Sequence, residues 1–180
     1  MSRKRSQKDQ TVPLSQRKRD VMKVRRTPIR RKEAKGILEE ASKFGVEAST
    51  DEFKLAETIQ QGEYTVLLLD KVPILIITSS GEIVPHLQTY GKRVRCPQVT
   101  VDDRAAPHII GGADVMAPGV VSVDEFKGGG AVVALDSAGR ALSSGIAVLS
   151  SDEIKQVNKG RAVRTVHVVG DPIWKLTEGL

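Results

Sequence analysis

Three histidines and one cysteine are the residues best suited to bind a metal or transfer a proton, and they lie in separate segments of this 180-residue chain. His86, His108, His167 and Cys96 show no spacing that would place two ligands on one loop or one helix face. We therefore expect no zinc site and no metal or cofactor of any kind. The single cysteine excludes an internal disulfide and fits a reducing compartment.

The other candidates for catalysis have simpler explanations. Asp102 and Asp103 stand at the start of a predicted helix, where N-capping accounts for adjacent carboxylates. The "GKR" at 91–93 lacks the first glycine and the hydroxyl residue of a P-loop. The serine pairs at 143–144 and 150–151 lack the strand-turn-helix context of a nucleophile elbow. We expect a protein that is not an enzyme.

Charge is distributed unevenly along the chain. Residues 1–35 contain 14 Lys or Arg and 3 acidic residues, whereas the rest carries a net charge of −5. Such asymmetry is typical of a basic arm that binds a polyanion, because each cation that neutralises a phosphate releases condensed counterions. The alternative is a solvated, disordered tail. The candidate arm contains seven cations: Arg3, Lys4, Arg5, Lys8, Arg17, Lys18 and Arg19.

The composition indicates a soluble, cytoplasmic protein without membrane contact. Apolar residues make up 39% of the chain, which is enough for a packed core. The longest apolar run, 66–78, is interrupted by Asp70, Lys71 and Pro73 and is too short to span a bilayer. The basic N-terminal segment lacks the apolar stretch of a signal peptide.

The elements of the first half predict a small α/β domain over residues 21–97, after an arm of residues 1–20. Val21–Val24 is expected to begin a strand, and Thr27-Pro28 to begin an amphipathic helix that Gly45 ends. Three cations in the first turn of that helix oppose its dipole, so something other than helix stability must explain them. The remaining expected elements are a helix over Glu52–Gln61 and strands over Tyr64–Leu69 and Val72–Thr78, joined by an Asp70-Lys71 turn.

The second half, residues 98–180, consists of short apolar runs separated by glycine turns, a pattern typical of a small, partly open β-barrel. The predicted fold class is therefore α+β. The expected elements are a strand at Val99–Val101, a helix at Asp102–Ile110 ended by Gly111-Gly112, a hairpin of Ala131–Asp136 and Ala141–Leu149, a helix with a capping box at Ser150 and Glu153, and a final hairpin of Ala162–Val169 and Ile173–Leu176.

An ordered series of motifs in this half resembles a PUA domain over residues 98–176. The motifs are "VTVDDRAAPHIIGGADVMAPGV", "FKGGGAVVALDSAGRALSSGIAVLSSDEI" and "NKGRAVRTVHVVGDPIWKL". With an α/β domain that ends in "VPHLQTYG", the whole chain resembles archaeal relatives of the malignant T-cell-amplified sequence family. Two departures are Arg104, where the family often has glycine, and "GGG" at 128–130, where it usually has Gly-Asp.

The resemblance implies RNA binding in a groove formed by the first helix of the PUA domain, the glycine loop after it and the adjacent strand. Glycines without Cβ atoms would let a sugar-phosphate backbone approach their amides closely. Residues 113–116 would form one wall, and the cations at 159, 161 and 164 would extend the positive groove. The candidate RNA-binding residues are Arg104, Gly111, Gly112, Ala113, Asp114, Val115, Met116, Lys159, Arg161 and Arg164.

The chain contains only six aromatic residues, and none forms the paired stacking platform of an RRM or OB fold. Trp174 is expected in the barrel core. Recognition should therefore depend on phosphate, ribose and shape, which suits a folded RNA such as a tRNA acceptor end or ribosomal RNA. By resemblance we expect a non-catalytic protein of translation, with the small ribosomal subunit or a translation factor as partner. The alternatives are an accessory subunit of a separately encoded tRNA or rRNA modification enzyme, and a protein-interaction scaffold.

Overall fold

The structure, a computed structural model, describes residues 24–49 and 52–180. Its helices are α1 (Arg31–Lys43), α2 (Ala106–Ile110), α3 (Ser151–Gln156) and α4 (Pro172–Thr177). Its strands are β1 (Arg26–Pro28), β2 (Glu47–Ala48), β3 (Ala56–Gln61), β4 (Tyr64–Leu69), β5 (Val72–Ile77), β6 (Ile83–Pro85), β7 (Val94–Arg95), β8 (Gln98–Val101), β9 (Val115–Met116), β10 (Val120–Val123), β11 (Ala131–Leu135), β12 (Ala141–Ala147) and β13 (Arg161–Val168).

The first half is an antiparallel sheet with the strand order β1-β3-β4-β5-β6, against which α1 packs. Helix α1 buries Ala34, Leu38 and Ala41, which recur at helical spacing and contribute to the same core as the apolar side chains of β4 and β5. The predicted turn between β4 and β5 is confirmed: Asp70 and Lys71 both have positive φ, as a type I′ hairpin turn requires.

Two helix predictions in the first half are wrong. Thr27 and Pro28 belong to the edge strand β1, and α1 begins only at Arg31, because the backbone of residues 26–28 pairs with β3. Proline fits there since an edge strand need not donate on its outer side. Residues 56–61 form strand β3 rather than a helix, because β4 and β1 pair with it on both sides. The predicted strand at 21–24 lies almost entirely outside the described residues.

The second half is a six-stranded sheet with the order β10-β8-β11-β12-β13-β9. Its two edge strands, β9 and β10, are consecutive in the chain and are joined by a single 3-10 turn at Ala117–Gly119, so the sheet curls into a nearly closed barrel. The β11–β12 hairpin and the Ser150–Glu153 capping box of α3 are confirmed. The fold class is α+β, as predicted.

One boundary and one element type in the second half differ from the prediction. Helix α2 starts at Ala106, because the Asp102 carboxylate accepts hydrogen bonds from the amides of Arg104 and Ala105 and forms a turn first. Residues 173–176 form helix α4 rather than a strand: Asp171 caps its N-terminus and Pro172 occupies the first turn.

The two sheets pack against each other, since Ala131, Ile146 and Ile173 of the second half contribute to the core of the first. Trp174 is half-buried at this junction and not in the barrel core, with its ring 6.5 Å from those of His86 and His167. The division into units at residues 97 and 98 remains a prediction.

Candidate nucleic-acid interface

The loop at 111–113 follows α2 directly and presents bare backbone to solvent. Gly112 has φ of +98°, which side chains rarely adopt, and a Cβ placed on it would meet no atom within 4 Å. Gly111 and Ala113 are exposed as well. The two glycines therefore combine a helix stop with an open surface.

The amides of this loop are not available to hold phosphate, which corrects the expectation drawn from the glycines. Gly111 donates to the carbonyl of Pro107 at 3.1 Å, Gly112 to that of Ile109 at 2.9 Å and Ala113 to that of His108 at 3.0 Å. The carbonyls of Gly111 and Gly112 accept no hydrogen bond from the described residues. The loop thus offers acceptors, which suit a ribose hydroxyl or a base amino group better than a phosphate.

Side chains from β13 hold the loop in place. The Asp114 carboxylate accepts a hydrogen bond from the Thr165 amide at 2.8 Å and pairs with Arg161 Nε at 2.9 Å. The Thr165 hydroxyl donates to the carbonyl of Ala113 at 3.0 Å. Since β9 also pairs with β13, the loop is anchored on both sides and would lose little entropy when it binds a ligand.

The two last residues of the predicted groove wall have different roles. Val115 is 1% exposed and packs into the barrel core, so it supports the loop from inside and cannot face a ligand. Met116 is 49% exposed on the outer side of β9, and Ile110 is 48% exposed at the end of α2. Exposed apolar groups on either side of the glycines can contact ribose or base faces.

The structure separates the four predicted cations by how free their charges are. Arg104 and Lys159 are exposed and have no ion-pair partner among residues 24–49 and 52–180. Arg161 is half-exposed but paired with Asp114. Arg164 pairs with Glu82, in the turn between β5 and β6, at 2.5 Å, and its hydrogen bond holds the pKa of that carboxyl below its usual range.

Lys159 lies close to the end of strand β9, which follows the loop at 111–113. The carbonyl of the next residue, Gly160, accepts a hydrogen bond from the Ala117 amide at 2.8 Å. Arg104 lies in the turn before α2, at the other end of that helix from the glycines. The RNA-binding roles of these residues remain predictions. The seven cations of the basic arm lie outside the described residues.

Two features of the structure were not predicted from the sequence. Gly145 lies where β12 and β13 approach so closely that a Cβ would collide with the carbonyl of Arg164; an isolated glycine inside a predicted strand is the signal for such an approach. A buried histidine pair joins the halves, with ring centroids of His86 and His167 4.7 Å apart. His167 Nδ1 lies 2.7 Å from Asp171 Oδ2, and burial lowers the pKa of His86 to about 3.

Among residues 24–49 and 52–180, no three His, Cys, Asp or Glu side chains are placed to share a metal ion. No helix in that part of the chain has the length and apolar character needed to cross a membrane.

Comparisons with known proteins bear on the identity of both halves. The family model described as "PUA domain" matches residues 97–169. An uncharacterised protein of Methanocaldococcus jannaschii is 36% identical over 115 residues, which cover 62% of this chain and 70% of that protein. Translation machinery-associated protein 20 of Saccharomyces cerevisiae is 30% identical over 113 residues, 58% of this chain and 62% of that protein. For malignant T-cell-amplified sequence 2 of Homo sapiens the identity is 32% over 117 residues, 62% of this chain and 54% of that protein.

Solved structures show the same fold over most of the chain. A PUA domain from Aeropyrum pernix, crystallised as a tartrate complex, superposes with a TM-score of 0.72 at 29% identity and covers 86% of this chain and 91% of its own. A hypothetical protein from Pyrococcus horikoshii gives a TM-score of 0.70 at 29% identity, with 85% and 99% covered. The matched region spans less than two thirds of the yeast and human relatives. The chain belongs to the PUA-domain proteins that are related to the malignant T-cell-amplified sequence family.

Proposed function

We propose that this protein is a non-catalytic RNA-binding protein of translation, whose barrel binds a folded RNA such as the acceptor end of a tRNA. The PUA domain is the single observation on which RNA binding rests. A role in translation is supported by relatives that are named translation machinery-associated proteins. The small ribosomal subunit is the partner that fits both parts of the proposal.

The loop at 111–113 would act as a preformed acceptor surface for the single-stranded end of such an RNA. Its free carbonyls accept from ribose hydroxyls or base amino groups, and Met116 contacts the sugar or base beside them. Phosphate neutralisation then falls to Lys159, Arg104 and the half-exposed Arg161. Since Asp114 already neutralises Arg161, the first two contribute most of the positive field.

The groove can be tested by fluorescence anisotropy with two RNA hairpins that share one stem, one with a single-stranded 3′ end and one blunt. We expect the wild-type chain to prefer the hairpin with the 3′ end and Gly112→Leu to lose that preference, because the side chain would cover the loop. Gly62→Leu is the matched control, since Gly62 also has positive φ and open space but lies in the turn between β3 and β4. Equal loss of affinity for both hairpins would contradict binding in the groove.

The cellular role needs a separate measurement. Crosslinking of bound RNA in the native cell, combined with sedimentation beside ribosomal subunits, should recover small-subunit RNA and tRNA ends from ribosomal fractions. Recovery of one tRNA class away from ribosomes would instead assign the protein to RNA modification, as an accessory subunit.

A further inference from the structure

Helix α1 carries a cluster of cations that its own stability does not explain. Arg30 is the N-cap residue and Arg31, Lys32 and Lys35 lie in the first two turns, with Glu33 as the one acid of the first turn. The positive end of a helix dipole disfavours cations at these positions. Arg31 and Lys35 are also four residues apart, and like charges at that spacing destabilise a helix.

These charges have no ion-pair partner among the described residues, and three of them, on Arg31, Lys32 and Lys35, line one shallow hollow on α1. Five cations in this region are exposed, and none of them forms an ion pair with a described residue: Arg25, Arg30, Arg31, Lys32 and Lys35. Positions 31, 32 and 35 fall within about a third of the helix circumference. The Arg31 guanidinium lies 5.2 Å from the centroid of the Phe53 ring, which holds it in place by a cation–π contact.

The charge of this surface is positive, whereas the part of the chain that follows it is acidic. Residues 36–180 carry a net charge of −5, so the excess positive charge among the described residues lies in β1 and the start of α1. These five residues, Arg25, Arg30, Arg31, Lys32 and Lys35, are called the basic ridge. Its position at the beginning of the described chain makes it continuous in sequence with the basic arm.

We propose that the basic ridge is a second RNA-binding surface, which binds backbone phosphates of double-helical RNA without reading sequence. None of the exposed large apolar side chains of the described residues lies on β1 or α1. A protein interface would normally contain an apolar centre, whereas phosphate binding needs none. The inference rests on the proposed function, since the ridge would hold a duplex part of the same RNA assembly that the barrel engages.

The test measures binding of the full chain to a blunt RNA duplex without loop or overhang, at several salt concentrations between about 50 and 200 mM. The variant R31Q/K32Q/K35Q removes three ridge charges. Its matched control, K54Q/K71Q/K92Q, removes three exposed lysines elsewhere in the first half and changes the net charge equally.

We expect the plot of log affinity against log salt concentration to be less steep for the ridge variant than for wild type, by about 2.7. Each of the three lost phosphate contacts contributes ~0.9 to the steepness, as on duplex DNA. A four-fold rise in salt concentration should therefore weaken RNA binding by the ridge variant about 40-fold less than it weakens binding by the wild-type chain. The control should change the slope by less than half as much. An equal effect of both variants would show that only net charge matters and would overturn the proposal.

Two further outcomes separate the ridge from the groove and from a protein partner. If the ridge variant keeps wild-type duplex binding while Gly112→Leu loses its hairpin preference, the ridge proposal fails and the proposed function stands. If the wild-type chain binds neither RNA, the proposed function itself fails. An octaglutamate peptide serves as the acidic-protein probe: stronger dependence on the ridge for this peptide than for the duplex would assign the ridge to a protein.

Discussion

Acid should destabilise this protein through His86. His86 is fully buried at the junction of the two halves; its Nδ1 accepts from the Gln88 amide at 3.3 Å and its Nε2 lies 3.1 Å from the Thr177 hydroxyl. Burial is the main cause that lowers its pKa to about 3; His167 lowers it further and Asp171 opposes the shift. The ring is therefore neutral in the folded protein at neutral pH.

The direction and size of the effect follow from proton linkage. The pKa of an unfolded histidine is about 6.5, so below this pH the unfolded chain binds a proton that folded His86 does not. The stability contributed by neutral His86 is complete above pH 6.5 and is lost as the pH falls toward 3. Between pH 7 and pH 5 the free energy of unfolding falls by about 2 kcal/mol. Each pH unit over which the unfolded chain binds one more proton than the folded chain costs about 1.4 kcal/mol.

Urea denaturation at pH 7 and pH 5 measures this difference directly. Glutamine at position 86 cannot bind this proton. The change in the free energy of unfolding between pH 7 and pH 5 should therefore be about 2 kcal/mol smaller for His86→Gln than for wild type, whatever the absolute stability of the variant. His108→Gln is the matched control, because His108 is exposed, and it should retain the wild-type dependence. A pH dependence that is equal in wild type and His86→Gln would refute the reasoning.

Two further predictions concern glycine positions and the basic arm. Gly145→Ala should lower the free energy of unfolding by about 1–3 kcal/mol through overpacking against β13. Gly36→Ala, with open space in α1, should instead raise the free energy of unfolding by about 0.5–1 kcal/mol. Equal urea midpoints for the two variants would contradict the close approach of β12 and β13. Deletion of residues 1–20 should weaken binding to every RNA and flatten the salt dependence of affinity, and an unchanged slope would mean that the arm is only a solvated tail.

Local patterns were sufficient wherever neighbouring residues alone decide the backbone. The hairpin turn at Asp70-Lys71, the capping box of α3 and the glycine stop after α2 each depend on side chains within four residues, and all three are present. Where apolar spacing was ambiguous the predictions failed: Ala56–Gln61 became a strand because β1 and β4 pair with it on both sides. The Asp-Pro signal at 171–172 was local and would have identified α4.

The candidate groove shows the same limit. The motifs located the glycine loop and its nearby cations in the sequence, but not which polar groups remain free. Asp114 is neutralised by Arg161 and fixed by Thr165, 51 residues away, and Arg164 is paired with Glu82, 82 residues away.

The sequence by itself determined several turns and helix caps, the two-part charge distribution and the position of the bare backbone at Gly111-Gly112, because each depends on residue type and short spacing. Only the tertiary structure decided which amides, carbonyls and cations are still available to a ligand. Strand pairing and the packing of two sheets bring together residues that are distant in sequence, and those contacts neutralise Arg164 while they leave Arg104, Lys159 and the basic ridge free.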